Sequence, residues 1–118
     1  MKPKAYGARH VPGTMNRLEA AFAQRLEARK LAGEVAWYRF EAMTIRLVDR
    51  DNLTRFTPDF LVQLADGELV VYEVKGGLFP EHNRLKLKLA ADQYPFRFIL
   101  ARHPNKKTGW TETAVRVN

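Results

Sequence analysis

Apolar residues change their spacing along this chain, and the changes mark its elements. Leu18, Phe22 and Leu26 recur at four-residue intervals between Thr14, which can cap a helix, and Gly33, which can end one. The spacing predicts an amphipathic helix over about 15–32. Counted at about 100° per residue, Glu19 borders the apolar stripe and Glu27 points into solvent. After Gly33, "EVAWYRF" and "MTIRLVD" are rich in aromatic and β-branched residues. They read as strands joined near Glu41, the second with one wet face. Residues 56–76, "FTPDFLVQLADGELVVYEVKG", hold two more apolar runs on either side of Ala65-Asp66-Gly67. Residues 81–93, "EHNRLKLKLAADQ", alternate like a strand in the middle, but Pro80, the "LAADQ" tail and Pro95 favour a helix. A glycine pair, a loop and a helix also make a natural crossover to a returning strand, here "FRFILAR", 96–102. "HPNKKTGW" reads as a turn and "TETAVRV" as a short edge strand. The expected order is α-β-β-β-β-α-β-β, an α/β sandwich around a mixed sheet.

Composition narrows the class. With 46% hydrophobic and 28% charged residues, 118 residues suit one folded domain over 14–118, preceded by a basic arm over 1–13 that Pro and Gly interrupt. That arm reads either as a frayed terminus or as chain lying on a phosphate backbone. A formal net charge of +7 points to a polyanionic partner, most often nucleic acid. The absence of cysteine excludes disulfides, thiolate zinc sites and a cysteine nucleophile. His10, His82 and His103 have no metal-ligand spacing. No apolar run reaches the length of a membrane span, and no apolar segment follows the basic start, so no membrane partner is expected and the default compartment is the cytosol.

Against that background Asp59, Glu73 and Lys75 are misplaced, because each sits in a run that should be a buried strand. The turn between them decides where they point. If Asp66-Gly67 were a two-residue hairpin loop, Ala65 would face Glu68, and Asp59 and Glu73 would lie on opposite faces. If the loop is Ala65-Asp66-Gly67, with glycine left-handed at its third residue, Leu64 faces Glu68 and Asp59 faces Glu73. Lys75 is then on the same face, opposite Thr57. Directly opposed Cβ atoms are about 5 Å apart, so two carboxylates placed this way repel unless a cation joins them. Oxygen ligands without His or Cys select a hard ion, Mg²⁺ or Mn²⁺. The plainer alternative is Asp59 at a wet strand end, with Glu73 paired to Lys75 or an arginine and nothing bound.

At these residues the sequence resembles the PD-(D/E)XK nuclease superfamily: Pro58-Asp59 and Glu73-Val74-Lys75 match its two-part signature. "NRLEAAFAQRLEARKLAGEVAWYRFE", "TPDFLV", "YEVKG" and "RLKLKLAADQYPFRFIL" are similar to its small phage-borne branch known as domain of unknown function 1064, a likeness running over about 14–101. The resemblance implies a restriction-endonuclease-like αβββαβ core, with a mixed central sheet flanked by helices. It implies that Asp59, Glu73 and the main-chain carbonyl of Val74 hold Mg²⁺ or Mn²⁺, that Lys75 positions or activates the attacking water, and that Glu19 on the first helix completes the site. It makes Lys86, Lys88 and Gln93 candidates for phosphate contact or support of the site, and Arg84 a plain phosphate contact. Phosphodiester hydrolysis suits these residue types, since it needs an activated water and neutralised charge on phosphorus.

The expected function is therefore a metal-dependent endodeoxyribonuclease with DNA as partner and no organic cofactor. By similarity to small resolvases of the superfamily it would act on branched or Holliday-junction DNA in phage replication or recombination, as a homodimer in the cytosol of a bacterium or phage-infected host. The alternative is a catalytically inactive nuclease-fold protein that binds DNA or serves packaging. The full set of Glu19, Asp59, Glu73 and Lys75 argues against it, since a retired nuclease would be expected to lose some of them.

Overall fold

A computed structural model describes residues 13–49, 51–103 and 105–115. The elements are α1 (Arg17–Leu31), β1 (Val35–Phe40), β2 (Ile45–Val48), β3 (Asp51–Phe56), β4 (Phe60–Leu64), β5 (Leu69–Lys75), α2 (Glu81–Gln93), β6 (Arg97–Arg102) and β7 (Thr111–Ala114). Five strands form one mixed sheet in the order β1-β4-β5-β6-β7, and β2 and β3 form a separate hairpin. Among the described residues only the β5–β6 pairing is parallel, bridged by α2 as the crossover requires. The fold is thus α/β, with a mixed sheet and two helices.

Alternation along the strands sorts the core into two layers. Val70, Tyr72 and Val74 of β5 face the side covered by α1, together with Phe60, Val62, Ile99, Ala101, Phe22 and Leu26. Phe22 is fully buried, its ring 5.6 Å from Phe60 and 5.1 Å from both Tyr72 and Trp110. Val71 and Phe98 face the other side, where Leu87 and Ala90 of α2 and Ile45, Leu47 and Phe56 of the hairpin cover them. Glu73 and Lys75 share the face of Val71.

Helix α1 follows the predicted stripe, but its cap is Asn16 instead of Thr14. Asn16 accepts from the Glu19 N–H at 2.7 Å, while the Glu19 carboxylate accepts from the Asn16 N–H at 2.9 Å. This reciprocal capping box satisfies two orphan donors at once, which a lone Thr14 could not do. Gly33, at φ +86°, ends the helix as expected. Much of the helix's positive charge is engaged: Arg25 pairs with Glu112 at 3.2 Å, and Arg29 with Glu34 at 3.0 Å and the Tyr72 hydroxyl at 3.1 Å. Glu27, on the outer side, accepts from the Tyr38 hydroxyl at 2.6 Å, a bond that pushes the phenol up to about 12.

Between the helices the described residues form five strands where four were expected. Asp51–Phe56 is the strand missed, because Asp, Asn and Arg are poor strand formers and only its pairing with β2 holds it extended. Nor do "EVAWYRF" and "MTIRLVD" pair with each other. Glu41, at φ +49°, turns the chain out of the sheet, leaving β1 to pair with β4. The helix over 81–93 is observed with those bounds. The basic arm lies outside the described residues apart from Gly13, whose N–H donates to the Glu41 carboxylate at 2.8 Å. The last residues of "TETAVRV" lie outside them too. No helix among the described residues is long and apolar enough to cross a membrane.

Candidate active site

The loop between β4 and β5 has the three-residue form. Phe60 faces Tyr72 and Gln63 faces Leu69, which puts Leu64 opposite Glu68 at the loop and Asp59 opposite Glu73 at the far end. Gly67 is left-handed at φ +95°, its N–H donating to the Leu64 carbonyl at 2.9 Å. The Asp66 carboxylate accepts from the Glu68 N–H at 2.9 Å. Arg97 then forks onto the Glu68 carboxylate at 2.8 and 2.9 Å, tying the base of the loop to β6.

Each acid is fixed by the other's strand. The Asp59 N–H donates to Glu73 Oε1 at 3.1 Å, and the Val74 N–H donates to Asp59 Oδ2 at 2.7 Å. Each carboxyl group thus sits against the backbone of the other's strand, and the two are the buried charged side chains of the described residues. Burial raises the affinity of both for protons. For Asp59 the nearby Glu19 charge adds to this, and the Val74 N–H opposes it. For Glu73 the Asp59 charge adds, and Lys75 opposes. Burial and mutual repulsion therefore favour a proton on the pair, or a cation in its place.

Lys75 stands beside the pair, its Nζ 3.6 Å from Glu73 Oε2. The N–H and C=O of a strand residue point to the same neighbour, so the Val74 carbonyl is directed to the Asp59 side, as the Val74 N–H is. Glu19 reaches the site electrostatically: Gly76, at the end of β5, comes within 3.4 Å of the Leu18 side chain measured from where a Cβ would stand, bringing the first turn of α1 beside the carboxylates. One Glu19 oxygen serves the capping box. No group of three His, Cys, Asp or Glu side chains among the described residues is placed to hold an ion. The available donors are therefore two opposed carboxylates, a carbonyl on their side and Glu19 at the margin. That is an all-oxygen set suited to Mg²⁺ or Mn²⁺.

A pocket of about 200 Å³ opens beside Glu73, lined by Arg55, Phe56, Thr57, Glu73, Lys75, Asn83 and Lys86. Of the helical candidates, Lys86 belongs to it, and its ammonium also donates to the Arg55 carbonyl at 3.3 Å. Gln93 is on the same side of α2 but two turns on, where it donates to the Leu47 carbonyl at 2.9 Å and fastens the hairpin. Arg84 and Lys88 line a neighbouring groove of about 150 Å³ instead. Arg55 and Asn83 were not singled out from the sequence. Asn83 had a signal, since it lies three residues before Lys86 and shares its helix face. Arg55 had none, because its strand was not recognised. Arg102, beside Lys75 on β6, donates to the carbonyls of Gly76 and Gly77, while its buried Nε has no partner.

A scan against protein-family models, a search of curated proteins and a search of solved structures each returned no match.

Proposed function

We propose that this chain is a divalent-metal-dependent endodeoxyribonuclease built on a restriction-endonuclease-like core. The observation that carries the reading is the buried Asp59–Glu73 pair, held together by its own backbone bonds, with Lys75 and a pocket carrying Arg55 and Lys86 on the Glu73 side. Two opposed buried acids are unfavourable by themselves, and a fold that builds them into a central hairpin is made for a cation. The likeness of Pro58-Asp59 and Glu73-Val74-Lys75 to the nuclease signature supports the same reading, as does the order of a helix, an antiparallel hairpin, a crossover helix and a parallel strand.

Asp59, Glu73 and the Val74 carbonyl would hold Mg²⁺ or Mn²⁺, with Glu19 at the margin. Once bound, such an ion polarises a phosphoryl oxygen and lowers the pKa of water. The protein's own groups do the rest. Val74 N–H and Asp59 N–H keep both carboxylates in place, so little reorganisation is needed when a substrate arrives. Lys75 offers an N–H donor to an attacking water or a phosphoryl oxygen in the pocket. Lys86 and Arg55 add positive charge where a phosphodiester would enter. A preference for branched DNA and a homodimeric state follow from the likeness to small resolvases.

The test is incubation with supercoiled plasmid and with a four-way junction, in Mg²⁺ and in EDTA, alongside Asp59→Ala and Lys75→Ala. Metal-dependent cutting that both variants lose is expected. Tight binding without any cutting by the wild type would instead assign a non-catalytic DNA-binding role.

A further inference from the structure

We propose that Phe79 is a positioning residue whose ring holds Lys75 at the carboxylate pair. The proposal rests on the reading of Lys75 as part of a phosphodiester-cleaving centre. Lys75 Nζ lies over the Phe79 ring, 5.7 Å from its centroid, while reaching Glu73 Oε2 at 3.6 Å. The Arg84 guanidinium lies over the same ring at 5.4 Å. One aromatic side chain thus spaces two cations, Lys75 in the carboxylate pocket and Arg84 in the neighbouring groove, of which Phe79 itself forms a wall. A lysine side chain has four rotatable bonds and wanders unless something fixes its head. Its ion pair with Glu73 weakens whenever Glu73 takes up a proton or a metal ion, whereas attraction to the ring's negative face persists in every state of the carboxylates. The ring is itself anchored. Arg102 ties down the Gly76 and Gly77 carbonyls that begin its loop, and Pro80, at φ −56°, starts α2 directly after it.

Phe79→Leu keeps the apolar volume and removes the π face; Phe79→Tyr keeps both. Two measurements separate positioning from packing. In metal-free protein, carbon–proton NMR of the Lys75 methylene next to Nζ should show an upfield ring-current shift in wild type and Phe79→Tyr, and the ordinary lysine position in Phe79→Leu. In plasmid cleavage, Phe79→Leu should lose about tenfold in kcat with KM little changed, and Phe79→Tyr should restore it. An unshifted Lys75 signal in the wild type overturns the contact, whether or not the protein cuts DNA. A shift lost in Phe79→Leu without loss of rate overturns the role. Absence of cutting by a wild type that shows the shift overturns the nuclease reading and, with it, the catalytic role of the contact.

Discussion

Replacing Glu73 by glutamine should make the metal-free protein more stable at pH 8 and leave it almost unchanged at pH 5. Glutamine is isosteric with protonated glutamic acid and keeps an oxygen for the Asp59 N–H. Burial and the Asp59 charge push Glu73 up to about 8 from an ordinary value of 4.5. Between those values the folded state binds a proton that the unfolded chain has released. Wild-type stability must therefore fall as pH rises through this window, the reverse of the usual response of paired carboxylates. At about 1.4 kcal/mol per pKa unit the full loss is capped near 5 kcal/mol. Water entry and relaxation around the ionised pair bring the expected gap between variant and wild type to about 2–3 kcal/mol at pH 8, or roughly 10 °C in Tm for a domain of this size. Calorimetry in EDTA from pH 5 to pH 8 measures it. Wild-type and Glu73→Gln curves that run parallel across the range would mean that Glu73 holds no extra proton in the fold.

Magnesium should offset about half of the loss at high pH: at about 10 mM ion and a Kd of about 1 mM, wild type gains about 1.4 kcal/mol at pH 8 while Glu73→Gln gains little, readable as a Tm shift. Gly67→Ala places a side chain at φ +95° with nothing within 4 Å to clash, so its penalty is backbone strain alone. It should destabilise by about 1–2 kcal/mol in urea titration, with Gly67→Asn losing less. Phe22→Ala, at the centre of three ring contacts, should lose about 3–5 kcal/mol in the same titration. Lys86→Ala should weaken DNA binding and reduce its salt slope by about one, whereas Gln93→Ala should lower stability by about 1 kcal/mol and leave DNA affinity alone, as anisotropy titrations over a salt series would show.

The hairpin was legible because its turn carries its own register. Ala65-Asp66-Gly67 needs a left-handed third residue, glycine supplies it, and every pairing back to Asp59 opposite Glu73 follows from that residue. Helix α1 was legible from its periodicity and breakers, and α2 from its breakers and the crossover it has to make, against an alternation that suited a strand. The β2–β3 hairpin was not, since its second strand is polar and becomes a strand only through its partner and through the cover it provides for Val71 and Phe98. The cap of α1 was misread for a related reason: Thr14 and Asn16 are both capping types, and only the reciprocal bond to Glu19 decides between them. Gln93 shows the limit of a polar residue read along a helix. Its side of α2 could be deduced from helix spacing, but the carbonyl of Leu47 that meets it belongs to the hairpin whose second strand was missed.

On the proposed function, the hairpin register builds a cation site from Asp59 and Glu73. Electron paramagnetic resonance of Mn²⁺ titrated into the protein at pH 8 tests it directly, comparing wild type with Asp59→Asn and Glu73→Gln. Saturable binding by the wild type, lost in both variants while their folds persist, is predicted. Free Mn²⁺ throughout the wild-type titration, or binding that both variants retain, would contradict it.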